Sequence, residues 1–298
     1  MISLDRLRSL HAVGSYGSLH AAAEALNVTA SAISQQIAKL EREVGEPLLE
    51  RRGRGVALTD AGQLLTGHAE RALSVLRQAE AELDARRAVV AGELRVGAFA
   101  TAIRGLAPGA LRTLTMEHPQ LQVRLQEMEP FEAIALLERG DIDLALAQDW
   151  SNQPLRIPEG FERAPVYDDI ADIALPCDHP LATTDAVALS DLAGDAWISW
   201  REGSICHDWL MLTLRAQGRE PRVQHFALEY ATQLSLVNAG LGAAVLPRLG
   251  RGPVPDGVRV VPVKPALTRQ VYALWRSDAT RRTAILATVA AFCGAGSV

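Results

Sequence analysis

Between Thr59 and Val89 the chain carries no proline, and beyond Gly67 no glycine, so nothing in this stretch interrupts a helix. Leu65, Ala69, Ala72, Leu76, Ala79 and Leu83 follow one another at spacings of four and three, the seam of a short coiled coil. At 1.5 Å per residue such a helix is roughly 45 Å long. It divides the chain into residues 1–58, the helix at 59–89, and a larger segment at 90–298. A long, evenly charged helix between two domains favours pairing with a second copy; the other use of such a seam is packing on its own domain.

The first 58 residues read as short helices and a hairpin. Leu4, Leu7 and Leu10 recur at helical spacing, and Gly17-Ser18 caps a second segment, Leu19 to Leu26. Thr29 or Ser31 caps a third, which ends near Gly45. Within it Ile33, Ile37, Leu40 and Val44 form one stripe that faces a core. Ser31, Gln35, Ala38 and Arg42 fall opposite, with Ser34 and Lys39 at the margins, so the outward face is small and polar. In "ERRGRGVALTDAG" Arg51, Arg52 and Arg54 surround Gly53 and Gly55, the pattern of a hairpin or wing, with Thr59 placed to cap the long helix.

After Gly92 the pattern changes. "ELRVGAF", "LQVRLQEME", "IDLALAQ", "DIADIAL", "RVQHF" and "GAAVLP" are apolar runs separated by helical segments, the alternation of an α/β fold with mostly parallel sheets. About 200 residues suit two small lobes, lobe I over 90–165 and 266–298 and lobe II over 166–265.

Charge and cysteine content narrow the function classes. Residues 1–88 hold eleven basic and eleven acidic side chains, so the net charge of −5 belongs to the remainder and no basic domain advertises nucleic-acid binding. A neutral domain still binds a polyanion if its positive groups occupy one face. The cysteines, Cys177, Cys206 and Cys293, are far apart, which predicts neither a disulfide framework nor a metal site. Asp5, Arg6 and Arg8 break any apolar leader, and no run reaches the roughly 20 residues of a bilayer span. A cytoplasmic protein without membrane contact is expected. The seven histidines form no HxxxH pair, and neither a GxSxG elbow nor a phosphate-binding GxxxxGK[ST] loop occurs, so no enzyme, metal or cofactor is expected.

The run Gly17 to Gly62, "GSLHAAAEALNVTASAISQQIAKLEREVGEPLLERRGRGVALTDAG", resembles the winged helix-turn-helix of LysR-type transcriptional regulators. "GELRVGA" at Gly92, "RGDIDLAL" at Arg139, "HPLA" at His179 and "NAGLGAAVLP" at Asn238 continue the resemblance in order across the chain. It implies a DNA-binding domain, a dimerising linker helix and a two-lobed effector domain similar to periplasmic solute-binding proteins. It also implies a homotetramer made of two dimers, a double-stranded DNA operator, a small-molecule effector and contact with RNA polymerase.

For such a task the third helix enters the major groove. Ser31 and Gln35 are suited to base edges. Thr29 and Ser34 suit phosphate, and Lys39, Arg42, Arg51, Arg52 and Arg54 supply charge. Gln36 points sideways and is expected to be a solvated or an intradomain residue. Leu65, Ala69, Ala72, Leu76 and Leu83 are the dimerisation candidates. Ligands of open α/β lobes sit beyond the carboxyl ends of strands, which nominates Ala100 and Thr101 after "ELRVG", Gln148 after "DLALA", and Ser199, Trp200, Arg201 and Ser204 in "SWREGS". Arg201 is either a carboxylate partner or an ordinary surface arginine, and Trp200 either a ligand cover or a core residue. Cys206 raises one alternative, a redox-responsive regulator of the same family.

Overall fold

The structure, a computed structural model, describes residues 2–53, 55–87, 89–218 and 220–296. They form two compact units.

The first unit begins with three helices, α1 (Leu4–Tyr16), α2 (Leu19–Ala25) and α3 (Ala30–Val44). The starts of α2 and α3 have local causes. Ser18 caps α2 by accepting the Ala21 amide at 3.0 Å, and Thr29 caps α3 by accepting the Ala32 amide at 3.1 Å. Ile33, Ile37 and Leu40 are buried with Leu10, Val13, Ala22 and Leu48 in one core. Val44, expected on the same stripe, is 38% exposed, because α3 ends at Gly45 and the chain turns away there. The Glu41 carboxylate accepts the amides of Leu48 at 2.8 Å and Leu49 at 3.2 Å, which ties the end of α3 to the next strand.

That strand, β1 (Leu49–Arg52), pairs with β2 (Gly55–Leu58) as an antiparallel hairpin. Arg54 lies outside the described residues. The long helix α4 (Asp60–Arg87) follows, 28 residues that span roughly 42 Å. Thr59 caps it by accepting the Gly62 amide at 3.0 Å and also donates to the Pro47 carbonyl at 2.8 Å. Gly62 permits this approach, since a Cβ there would stand 2.1 Å from the Leu48 carbonyl oxygen. Leu65 packs against the core of this unit and Ala69 is fully buried within the chain, where α4 meets α1. The outer part of the seam is open, with Leu76 42% and Leu83 55% exposed.

The second unit carries one mixed sheet. Its first part contains β3 (Gly92–Ala98), α5 (Ala100–Gly105), α6 (Ala107–Glu117), β4 (Leu121–Glu127), α7 (Pro130–Arg139) and β5 (Leu144–Trp150). Then come β6 (Phe161–Pro176), β7 (Ala196–Ser199), α8 (Ile205–Arg215), β8 (Arg222–Phe226), α9 (Tyr230–Asn238), β9 (Ala243–Pro247), β10 (Val258–Val261), β11 (Leu267–Arg276) and α10 (Thr283–Ala295). The strand order is β4-β3-β5-β11-β6-β9-β7-β8, and β10 pairs with β6. Parallel pairing, expected from the alternation of strands and helices, holds in the outer strands, β4-β3-β5 and β9-β7-β8. The centre is antiparallel, because β6 and β11 are long strands that run side by side from one lobe into the other. Among the described residues no helix is long and apolar enough to cross a membrane.

A buried ion pair sits where β5, β11 and β6 meet. On β11 the inward positions alternate Leu267, Arg269, Val271, so the second of them drives a guanidinium into the core. Its side chain is 1% exposed, and the Asp169 carboxylate of β6, fully buried, receives it through Nε at 2.8 Å and Nη2 at 2.7 Å. The other Asp169 oxygen accepts the amides of Ile170 and Leu249, each at 2.9 Å. The rings of Phe99 and Trp150 face the guanidinium at 5.5 and 5.6 Å. Burying either charge alone is expensive, so the geometry is worth most as a complete set.

Two stability predictions follow from these contacts. Asp169→Asn leaves Arg269 buried without its counter-charge and lowers unfolding free energy by about 3–5 kcal/mol; a denaturant titration that finds a loss under about 1 kcal/mol would refute the role given to the pair. Gly62→Ala gains about 1 kcal/mol of helix propensity but drives a methyl into a backbone oxygen. The clash wins, and thermal unfolding of the first unit is expected to shift to lower temperature.

Candidate functional site

Two regions answer to the residues singled out in the sequence, one in each unit. In the first, α3 presents Ser31, Ser34, Gln35, Lys39 and Arg42 to solvent on the side away from Ile33, Ile37 and Leu40. The polar side chains that do not belong to this face are held elsewhere. Ser9 of α1 donates to the Gln36 amide oxygen, so Gln36 serves its own domain. Glu43 pairs with Arg6 of α1 at 2.8 Å, which removes an acid from the exposed face. Thr29 uses its oxygen as the cap, which leaves its hydroxyl hydrogen for another partner. Arg42, an exposed residue, donates from Nε to the Ala38 carbonyl at 3.2 Å. Arg51 and Arg52 stand exposed on β1. Short hydrogen-bonding side chains flanked by cations are what a major groove admits.

In the second unit a cleft of about 580 Å³ opens beyond the carboxyl ends of β3 and β4, against the turn after β9 and the start of α9. Gly250 lets the two sides meet. Its φ of 63° lies in the left-handed region, and a Cβ there would stand 2.4 Å from the Thr101 carbonyl oxygen. Arg104 of α5 donates to the Gly250 carbonyl at 3.0 Å, and its guanidinium lies 5.6 Å from the centre of the Tyr230 ring.

The expected effector residues divide into two sets. Ala100, Thr101 and Arg201 line the cleft. Gln148, Ser199, Trp200 and Ser204 are buried behind it. Thr101 accepts from Arg269 Nη2 at 2.9 Å, and the Gln148 amide oxygen accepts from Arg269 Nη1. The Gln148 amide nitrogen donates to Cys206 Sγ at 3.3 Å. Trp200 meets the edge of Tyr230 at 5.6 Å and backs the cleft wall. Ser199 shares a hydrogen bond of 3.1 Å with His207 Nδ1, and Ser204 caps α8 by accepting the His207 amide at 3.2 Å. Both serines thus organise the second lobe.

Sequence reasoning passed over Arg269, Asp169, Tyr230 and the cleft glutamates Glu127, Glu129, Glu132 and Glu229. A signal existed for the first, since Arg269 occupies an inward position in the otherwise apolar alternation of β11. None existed for the glutamates, whose convergence depends on the packing of separate loops. Cys206 is buried, and burial pushes its thiol up to about 11 against the opposing charge of Arg269.

Comparison with known proteins finds a match for each unit. Residues 4–63 match the family model described as "Bacterial regulatory helix-turn-helix protein, lysR family", and residues 87–294 match that of the "LysR substrate binding domain". The chain is 35% identical over 250 residues to the small neutral protease regulatory protein of Streptomyces coelicolor, covering 80% of this chain and 71% of that one. It is 29% identical over 284 residues to the hydrogen peroxide-inducible genes activator of Pectobacterium carotovorum, covering 94% and 92%. Full-length OxyR of Pseudomonas aeruginosa, solved as a cysteine-to-aspartate variant, superposes with a TM-score of 0.73 at 23% identity over 98% of both chains, a likeness of fold. With the helix-turn-helix model running from α1 to the first turn of α4 and the substrate-binding model on the unit that holds the cleft, the chain belongs to the LysR family of transcriptional regulators.

Proposed function

We propose that the outward face of α3 reads the operator and that the cleft beside Thr101 and Arg201 takes the effector which adjusts that reading. The observation that carries it is the cleft itself. It lies beyond strand ends, holds a small molecule's volume, and rests on the Arg269 network that joins β5, β6 and β11. A ligand that binds one arrangement of the lobes more tightly than another shifts the population of arrangements, and that shift is the regulatory signal.

On this reading Ser31 and Gln35 contact bases, while Thr29, Ser34, Lys39, Arg42, Arg51, Arg52 and Arg54 contact phosphate. Two copies pair through the open part of the α4 seam, Leu76 and Leu83, with exposed Val75 beside them; Leu65 and Ala69 are taken up by the chain's own packing. Two such dimers form a tetramer on the operator, the protein works in the cytoplasm and contacts RNA polymerase, and it regulates without catalysing a reaction.

The relatives named for hydrogen peroxide support a redox-responsive variant of this reading, with Cys206 as the sensor. The burial of its thiol and its position on Gln148 support a packing role instead.

Gln35→Ala is expected to lower operator affinity by about 1–3 kcal/mol with little change on random duplex. Equal losses on the two DNAs, read by fluorescence anisotropy at one salt concentration, would overturn the base contact. Cys206→Ser is expected to retain the regulatory response in a promoter-reporter assay; loss of a peroxide response in a folded variant would establish the redox reading instead.

A further inference from the structure

Glu41 is an acid on α3 of the helix-turn-helix unit, close to the end of that helix. An acid beside DNA is a liability, because it repels the phosphates that every duplex presents. What its carboxylate holds accounts for its place. One oxygen, Oε1, accepts the Leu48 amide at 2.8 Å and the Leu49 amide at 3.2 Å. Only Gly45, Glu46, Pro47 and Leu48 separate the end of α3 from the first residue of β1. A single side chain of α3 therefore spans the turn and grips the root of the hairpin.

The same root is held from its other side. The Thr59 hydroxyl donates to the Pro47 carbonyl at 2.8 Å, and the Thr59 amide donates to the Leu48 carbonyl at 3.0 Å. The Leu48 side chain is fully buried in the core of the unit. From there the ladder carries position outward, with Leu49 paired to Leu58, Arg51 to Val56 and Arg52 to Gly55. At roughly 3.3 Å per residue Arg52 stands about 10 Å beyond Leu49, so a small tilt at the root becomes a larger displacement at the exposed arginines.

We infer that Glu41 is a positioning residue for DNA binding: its acceptor oxygen sets the angle of the hairpin against α3, so that Arg51 and Arg52 reach phosphate while Ser31 and Gln35 lie in the groove. This rests on the reading of those two arginines as phosphate contacts and adds the residue that aims them. The inference fixes a sign. Charge alone predicts that removing Glu41 strengthens DNA binding, and positioning predicts the reverse. Glutamine keeps an acceptor oxygen at the same reach and drops the charge, whereas alanine drops both. The difference between these two variants isolates the acceptor.

The test measures the affinity of the full chain for a random-sequence duplex over a range of salt concentrations, since phosphate contacts carry no sequence information. Glu41→Ala is expected to bind about tenfold more weakly. It is also expected to flatten the plot of log affinity against log salt by about two, the share of two phosphate contacts. Glu41→Gln is expected to keep the parent's slope and to bind at least as tightly. Arg51→Ala combined with Arg52→Ala is expected to give a similar loss and flattening in the parent, and little further loss in the Glu41→Ala background. Glu41→Asp, one methylene shorter with its charge intact, is expected to follow Glu41→Ala. It decides the matter if thermal unfolding shows that the alanine variant does not fold. Equal binding by the alanine and glutamine variants, or additive losses in the combined variant, would overturn the inference and leave the phosphate reading in place. Unchanged slope and affinity on removal of the two arginines would overturn both.

Discussion

The pair formed by Arg269 and Asp169 is the constraint on which the second unit turns. A guanidinium with 1% of its side chain exposed is tolerated only if its charge and its N–H groups are met inside the protein. Asp169 meets the charge from the adjacent strand, and its second oxygen fixes the Leu249 amide in the turn after β9. Thr101 and Gln148 meet other donors from the start of α5 and from β5. Arg269 therefore joins β11 to three other segments, and Asp169 adds a fourth. The cleft lies over this junction, so its floor is positioned by electrostatics as well as by apolar packing.

The consequence for the cleft is a division of labour. The polar groups nearest to Arg269 are spent on holding the lobes, and the groups left to line the cleft come from loops and helix starts around the rim. These are the glutamates, Arg201 and Tyr230. Rim residues of this kind vary without loss of the fold, which is how one architecture serves many ligands.

The helix-turn-helix unit follows a similar economy at smaller scale. Polar side chains beside the outward face of α3 are drawn inward: Gln36 to Ser9, Glu41 to the amides of Leu48 and Leu49, and Glu43 to Arg6. What remains outward is short or cationic. The unit has no net positive charge, yet Glu41, Glu43 and Glu70 are occupied in internal contacts while Lys39, Arg42, Arg51 and Arg52 stay exposed.

Much of the fold was legible because it depends on neighbours in sequence. Helical spacing identified Ile33, Ile37 and Leu40 as core, hydroxyls before helices marked the caps at Ser18, Thr29 and Thr59, and an unbroken run marked α4. The resemblance to LysR-type regulators was carried by local motifs in the same way. Periodicity could not say that Val44 would emerge at the helix end, or that Leu65 and Ala69 would be claimed by their own unit, since burial belongs to whatever a surface meets in space. It also left four of the seven expected effector residues behind the cleft wall, and it missed Arg269, Asp169 and the glutamates. Local sequence determined the helices, the strands, the small polar outward face of α3 and the family. The tertiary structure alone decided which charges meet, because Asp169 and Arg269 are 100 positions apart and only the antiparallel pairing of β6 and β11 brings them within hydrogen-bond distance.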